Sequence, residues 1–204
     1  MIPEEDFRKI LEEIRRRPIL QNPDRLTAGA GRSQVFGVVG RRCLPPDYSR
    51  HSWLRPYLYK LLLEFGAKHC PFPFTSITVN QNYQAAPHRD KNNVGESFLV
   101  AFGDYSGGEL EILEGEKKGI YSIRHEPIVE DFSKVLHAVK PFKGERVSLV
   151  YYTYKHPHRE WNLSIPPPSI REVNGKLRFF RGEEMIKDGL PHPLKGRKMK
   201  RDSS

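Results

Sequence analysis

A change of period at Phe74 constrains this chain more than any other feature. From there to Tyr154 the sequence divides into short runs rich in β-branched and aromatic residues, at 75–83, 97–102, 109–113, 134–139 and 146–154. Gly, Pro, Asn and Asp separate them. Such runs predict strands, and many short strands in series predict a sandwich or a barrel. With 204 residues, 37% of them hydrophobic, the chain has enough apolar material for one domain with a real core.

The first seventy residues read mainly as helix. Across 3–17, Phe7, Ile10, Leu11 and Ile14 form one apolar stripe, and Arg15, Arg16 and Arg17 suit a helix C-terminus ahead of Pro18. A second helical pattern runs over 49–68, with Leu54, Tyr57, Leu58, Leu61, Leu62 and Phe65 on its apolar side. Pro56 sits in its first turn or marks a break. Between these patterns, 34–39 suggests a short strand. The glycine-rich loop 29–33 lacks the Gly-Lys-Ser/Thr of a phosphate loop and is a candidate substrate-facing lid. We divide the chain into an N-terminal helical support (1–70), a β core (71–160) and a C-terminal appendage with a basic tail (161–204). In the appendage, 177–189 suggests a short strand and a helical turn.

Within the β core, His88-Arg89-Asp90 places an imidazole and a carboxylate two positions apart. In an extended strand such side chains point the same way, so both can reach one ion. Iron(II) sites that activate dioxygen use two imidazoles and one carboxylate on one face of the metal and leave the other open. His137, from a distant strand, is placed to supply the second imidazole. Nine residues later, Arg146 offers a planar fork that can hold a carboxylate bidentately, and Ser148 shares its strand face. Val147, Leu149 and Val150 are apolar, so Arg146 belongs to a largely buried strand, where a guanidinium needs an anionic partner. A lone His or Arg in a strand is ordinarily structural; the ordered set is a stronger signal. With the metal residues so placed, the fold is α+β and mainly β: a double-stranded β-helix (jelly-roll, cupin-like) core flanked by N-terminal helices.

The set resembles the 2-oxoglutarate/Fe(II) dioxygenases, in particular their thymine- and methylcytosine-oxidising branch, the TET and base-J-binding-protein families. The resemblance covers roughly 74–155 and rests on four strings: His88-Arg89-Asp90, Ser106-Gly107-Gly108-Glu109-Leu110, His137-Ala138-Val139 and Gly144-Glu145-Arg146-Val147-Ser148. It implies Fe(II) on His88, Asp90 and His137, 2-oxoglutarate with its far carboxylate on Arg146 and Ser148, O₂ at the remaining metal position, and ascorbate as a helpful reductant. It implies that an Asn or Tyr of the preceding strand hydrogen-bonds 2-oxoglutarate. In a regular strand Asn80 and Asn82 share one face and Tyr83 takes the other; the sequence does not choose between the two asparagines. The string from His88 to Asn93 is similar to the TET motif His-Arg-Asp-x-x-Asn. That likeness implies that Asn93 reads the edge of a flipped base, with Arg89 also on the substrate side. The alternative for Asn93 is a turn residue. The chain departs from TET in having no cysteine-rich zinc-binding region, and the matched string is short.

Lys and Arg total 34 against 25 Asp and Glu, a net +9 with pI near 9.6, which favours a polyanionic partner. Nucleic acid is the expected partner, DNA ahead of RNA; a membrane partner is not expected, and a monomer is favoured. The basic run 195–201 can touch phosphates, serve as an address signal or do neither. Cys43 and Cys70 suggest no disulfide framework, and no signal-like or membrane-spanning run is apparent, so a soluble intracellular protein, cytoplasmic or nuclear and not secreted, is expected. Three readings stand: oxidation of a nucleobase methyl group in nucleic acid; the same chemistry on a protein side chain, as in prolyl hydroxylation, or on a small molecule; and a non-catalytic nucleic-acid-binding jelly-roll.

Overall fold

The computed structural model describes residues 1–21, 29–41, 44–155 and 168–186. Helix α1 spans Glu4–Arg16 and buries Phe7, Ile10 and Ile14. Glu4, Glu5 and Asp6 occupy its first turn and Arg15 and Arg16 its last, so both ends complement the helix dipole. The second helical pattern is interrupted at Arg55, giving α2 (Arg50–Leu54) and α3 (Pro56–His69). Pro56 is the first residue of α3, where its missing N–H has no intrahelical role.

The strands are β1 (Gly29–Arg41), β2 (Leu44–Tyr48), β3 (Ser76–Ala85), β4 (Asn93–Phe102), β5 (Tyr105–Gly107), β6 (Leu110–Ile112), β7 (Gly119–Tyr121), β8 (Ile128–Glu130), β9 (His137–Val139), β10 (Phe142–Gly144), β11 (Val147–Tyr154), β12 (Pro168–Val173), β13 (Lys176–Arg181) and β14 (Glu184–Met185). The larger sheet runs β2-β1-β3-β11-β4-β8 and the facing sheet β7-β6-β9. An antiparallel bridge between His88 and His137 brings the segment around His88 alongside β9. The ribbon β5–β10 lies between them in sequence, and β12-β13-β14 forms a separate hairpin sheet. This is the double-stranded β-helix, with flanking helices, that the strand series and the metal residues suggest.

Several expectations are corrected. The loop 29–33, read as a lid, is the first half of β1, paired with β3 from Gly29↔Ala85 to Gly37↔Ser76. The glycines there mark close backbone approach: a Cβ on Gly31 would lie 2.2 Å from the Asn82 carbonyl oxygen. Strand β2 carries two prolines and is tolerated because it is an edge strand. Thus the first seventy residues supply two strands to the larger sheet as well as helices. The runs 109–113 and 134–139 contain only the three-residue strands β6 and β9. Strands β5, β7, β8 and β10 are equally short, and three residues are too few to display a period. Of the appendage, β13 and β14 appear where a strand and a helical turn were expected. Phe179 of β13 is buried against Tyr48 and Tyr59, which docks the hairpin beside α3. The basic run 195–201 lies outside the described residues. No helix among the described residues is long and apolar enough to cross a membrane.

Alternation along β11 divides the molecule. Val147, Leu149 and Tyr151 enter the main core beneath α1 and α3. There Phe7 stacks on Phe102 at 4.7 Å and Phe65 on Tyr151 at 6.1 Å. Each such ring contributes roughly 1.5–3 kcal/mol on burial. Arg146 and the alternate β11 residues Ser148, Val150 and Tyr152 face the other way, into a pocket between the two sheets.

Candidate active site

His88, Asp90 and His137 line that pocket, and one ligand atom from each lies within 4.8 Å of the others. His88 Nε2 is 3.4 Å from Asp90 Oδ1. Two ligands held about 2.1 Å from one ion at right angles lie roughly 3 Å apart, so the spacing suits a shared metal. The backbone fixes the pair of histidines: His88 N donates to the His137 carbonyl and His137 N to that of His88, each at 3.0 Å. Their rings lie 4.3 Å apart. His88 Nδ1 sits 2.8 Å from the Ala86 carbonyl oxygen and His137 Nδ1 3.2 Å from that of Val135. With Nδ1–H donating there, each ring carries its lone pair on Nε2, the tautomer that a metal requires. Burial, reinforced by neighbouring His88, holds His137 below the usual imidazole range despite Asp90, which favours the neutral ligand form.

The polar end of the pocket is built around Arg146, whose side chain is 2% exposed. Its guanidinium carbon lies 5.5 Å from the Tyr105 ring centre and 5.7 Å from that of Phe142. Nε and Nη2 are buried and have no hydrogen-bond partner. Burial pushes its pKa down, with Tyr105 and Glu109 opposing the shift. Two orphaned donors on a buried cation are costly unless a ligand meets them. Asn80 and Ser148 are directly opposite across β3 and β11, and Asn80 Nδ2 donates to Ser148 Oγ at 3.4 Å. Asn80 Oδ1 is also buried without a partner. The two orphaned guanidinium donors suit the far carboxylate of 2-oxoglutarate; Asn80 Oδ1, an acceptor, does not.

Regular alternation fails at the end of β3. Asn82 has φ 51, and the β1–β3 register shifts beside it, between Ala30 and Arg32. The bulge turns Asn82 outward, exposed, where its Oδ1 accepts from the Arg146 backbone N–H at 2.8 Å. Asn80 and Tyr83 therefore line the pocket and Asn82 does not. The expectation that the two asparagines share a face is overturned by this bulge. Asn82 instead braces the backbone at Arg146.

Asn93 lines the pocket and is buried; its Nδ2 donates to Asp90 Oδ2 at 3.3 Å and to Ser97 Oγ at 3.1 Å. Arg89 turns away from the pocket. Its Nε donates to Glu114 Oε1 at 2.8 Å and to the Lys134 carbonyl at 3.1 Å. The same Glu114 oxygen accepts the Leu136 backbone N–H at 2.6 Å. In this structure Arg89 ties together the segments that carry His88, Asp90 and His137. Sequence reasoning missed Glu114, Tyr105 and Phe142. The Gly107-Gly108 turn was a partial signal for the last two, because it brackets the ribbon that carries them.

No protein-family model matches the sequence, and no curated protein does. Solved structures do match. NgTET1 in complex with 5mC DNA aligns over 76% of this chain and 69% of that one, at 14% identity and TM-score 0.52. A 2OG-Fe(II) oxygenase family oxidoreductase from Burkholderia pseudomallei aligns over 72% and 76%, at 16% identity and TM-score 0.48. A Pseudomonas putida prolyl-4-hydroxylase aligns over 76% and 89%, at 17% identity and TM-score 0.47. The likeness to NgTET1 is one of fold, and the fold this chain shares with it is the double-stranded β-helix.

Proposed function

We propose that this chain is an Fe(II)/2-oxoglutarate-dependent dioxygenase that hydroxylates the methyl group of a pyrimidine in nucleic acid, 5-methylcytosine ahead of thymine. The observation that carries the enzymatic part is a single pocket. It holds two imidazoles and a carboxylate at metal-binding spacing, and a buried guanidinium with two unmet donors. A pure binding module needs neither.

His88 Nε2, His137 Nε2 and one Asp90 oxygen would hold iron, and Arg146 with Ser148 and Asn80 would hold 2-oxoglutarate. Iron(II), 2-oxoglutarate and dioxygen together supply the chemistry that converts a C–H bond to C–OH, with release of succinate and CO₂. The chain contributes position. The backbone bridge keeps the two imidazoles side by side, Asn93, held by Ser97, orients Asp90, and Leu99, Leu110 and Val139 give the pocket an apolar wall.

Three observations support the nucleic-acid part: the net charge of +9, the likeness in fold to a protein that binds 5mC DNA, and Asn93 at the pocket wall. Asn93 spends its amide hydrogens on Asp90 and Ser97, which leaves Oδ1 to accept. The exocyclic amine of cytosine donates at the matching position, whereas thymine presents a carbonyl there. This favours methylcytosine. The test is mass spectrometry of nucleosides from methylated DNA and RNA incubated with protein, Fe(II), 2-oxoglutarate and ascorbate. Hydroxymethylcytosine above the level given by Asp90→Ala supports the reading. Succinate formation with no altered nucleoside in either polymer would move the substrate to a protein side chain or a small molecule.

A further inference from the structure

The ribbon β5–β10 pairs Gly107 with Phe142 and Tyr105 with Gly144. The Tyr105 and Phe142 rings meet edge to face, with centres 6.4 Å apart, and the Arg146 guanidinium lies against both. Gly108, at φ +73, closes the third side: a Cβ there would lie 3.0 Å from both Arg146 Cδ and Nε, and 3.1 Å from Phe142 Cβ. Nε and Nη2 are unpartnered. Two rings and a glycine therefore pack against the Arg146 side chain, and none of the three lines the pocket.

We propose that Tyr105, Phe142 and Gly108 are positioning residues that fix the reach of Arg146, and thereby the chain length of the dicarboxylate the pocket accepts. The proposal rests on the reading of the pocket as a 2-oxoglutarate site. The metal residues set one end of a bound 2-oxo dicarboxylate and Arg146 the other, so the distance between them selects among acids that differ by one methylene. Side-chain volume behind the guanidinium pushes it toward the triad and shortens the slot. Space behind it lengthens the slot.

Opposite substitutions then have opposite effects. Gly108→Ala places a methyl group against Arg146 and favours oxaloacetate, one methylene shorter. Phe142→Ala removes a ring behind the guanidinium and favours 2-oxoadipate, one methylene longer. The measurement is calorimetric binding of oxaloacetate, 2-oxoglutarate and 2-oxoadipate to the Mn(II)-loaded protein, which needs no turnover. The unmodified chain should prefer 2-oxoglutarate. Each variant should shift the relevant ratio of dissociation constants by about ten-fold, the low end of what one methylene can discriminate. If Gly108→Ala does not fold because of its backbone conformation, Phe142→Ala carries the test alone. Uniform weakening of all three acids, with the ratios unchanged, would show that the ribbon only supports the fold and would overturn the proposal. If the unmodified protein bound none of the acids, the proposed function itself would fall, and the length selection with it.

Discussion

Asn93 Nδ2 lies 3.3 Å from Asp90 Oδ2, while the other oxygen of the same carboxylate faces His88 Nε2 at 3.4 Å. One side chain of the strand following the His-x-Asp string thus orients the only carboxylate of the triad. Outer partners of metal ligands typically contribute ten- to a hundred-fold in metal affinity. Asn93→Ala should weaken Mn(II) or Fe(II) binding by about ten-fold on that scale, in addition to any loss in base oxidation. Calorimetric metal titration of the variant checks this. Unchanged metal affinity with sharply reduced oxidation of methylcytosine would instead assign Asn93 to the substrate alone.

Arg146→Ala removes both unmet donors of the polar end. The loss of a charge-assisted, desolvated pair typically costs about 1.5–3 kcal/mol, or roughly ten- to a hundred-fold in 2-oxoglutarate affinity. Arg146→Lys should recover only part, because a point charge does not replace the planar fork. Equilibrium binding of 2-oxoglutarate to the metal-loaded variants decides; affinity equal to that of the unmodified chain would remove Arg146 from the co-substrate site.

Glu114 joins Arg89, between His88 and Asp90, to the Leu136 amide just before His137. Both side chains are partly exposed, and exposed pairs are individually weak. The expectation is accordingly small: Glu114→Gln and Arg89→Ala each weaken metal binding a few-fold, and the double variant is no worse than either alone. If Arg89→Ala leaves metal affinity untouched but raises the KM for nucleic acid, Arg89 acts on substrate after all.

Asp6 ties α1 to α3 through Lys68 Nζ and His69 Nε2, each at 2.8 Å. The Lys68 hydrogen bond, aided by that of His69 and opposed by burial, holds the Asp6 carboxyl below the usual carboxylate range. A depressed carboxyl contributes stability that is fully present above its unfolded pKa, about 3.9, and is lost as pH falls through the folded value. Asp6→Asn should lower stability at neutral pH by at most about 1 kcal/mol, since Lys68 is largely solvated. Its melting temperature should converge on that of the unmodified chain below about pH 4. A gap that stays constant from neutral pH into that acid range would exclude the ion pair as its source.

The sequence by itself determined that His88, Asp90 and His137 come together, that Arg146 and Ser148 line the same pocket, and that the core is rich in β-strand. Each of these depends on local rules: alternation in an extended strand, the chemistry of imidazole and carboxylate, and the need of a buried cation for an anion. It likewise determined α1, whose stripe and charged ends are complete within the helix itself. Tertiary structure decided what local rules cannot reach. The bulge at Asn82 swaps which of Asn80, Asn82 and Tyr83 face the pocket, because one positive φ shifts the alternation of all that follows. Arg89 meets Glu114 across 25 positions of sequence, a pairing that neither residue announces. The three-residue strands exist only because their neighbours offer hydrogen-bonding edges, and the ribbon that backs Arg146 is made of two of them. Periodicity needs length, whereas a pocket is assembled from single residues on many short strands, and so its walls became legible only once the sheets were closed.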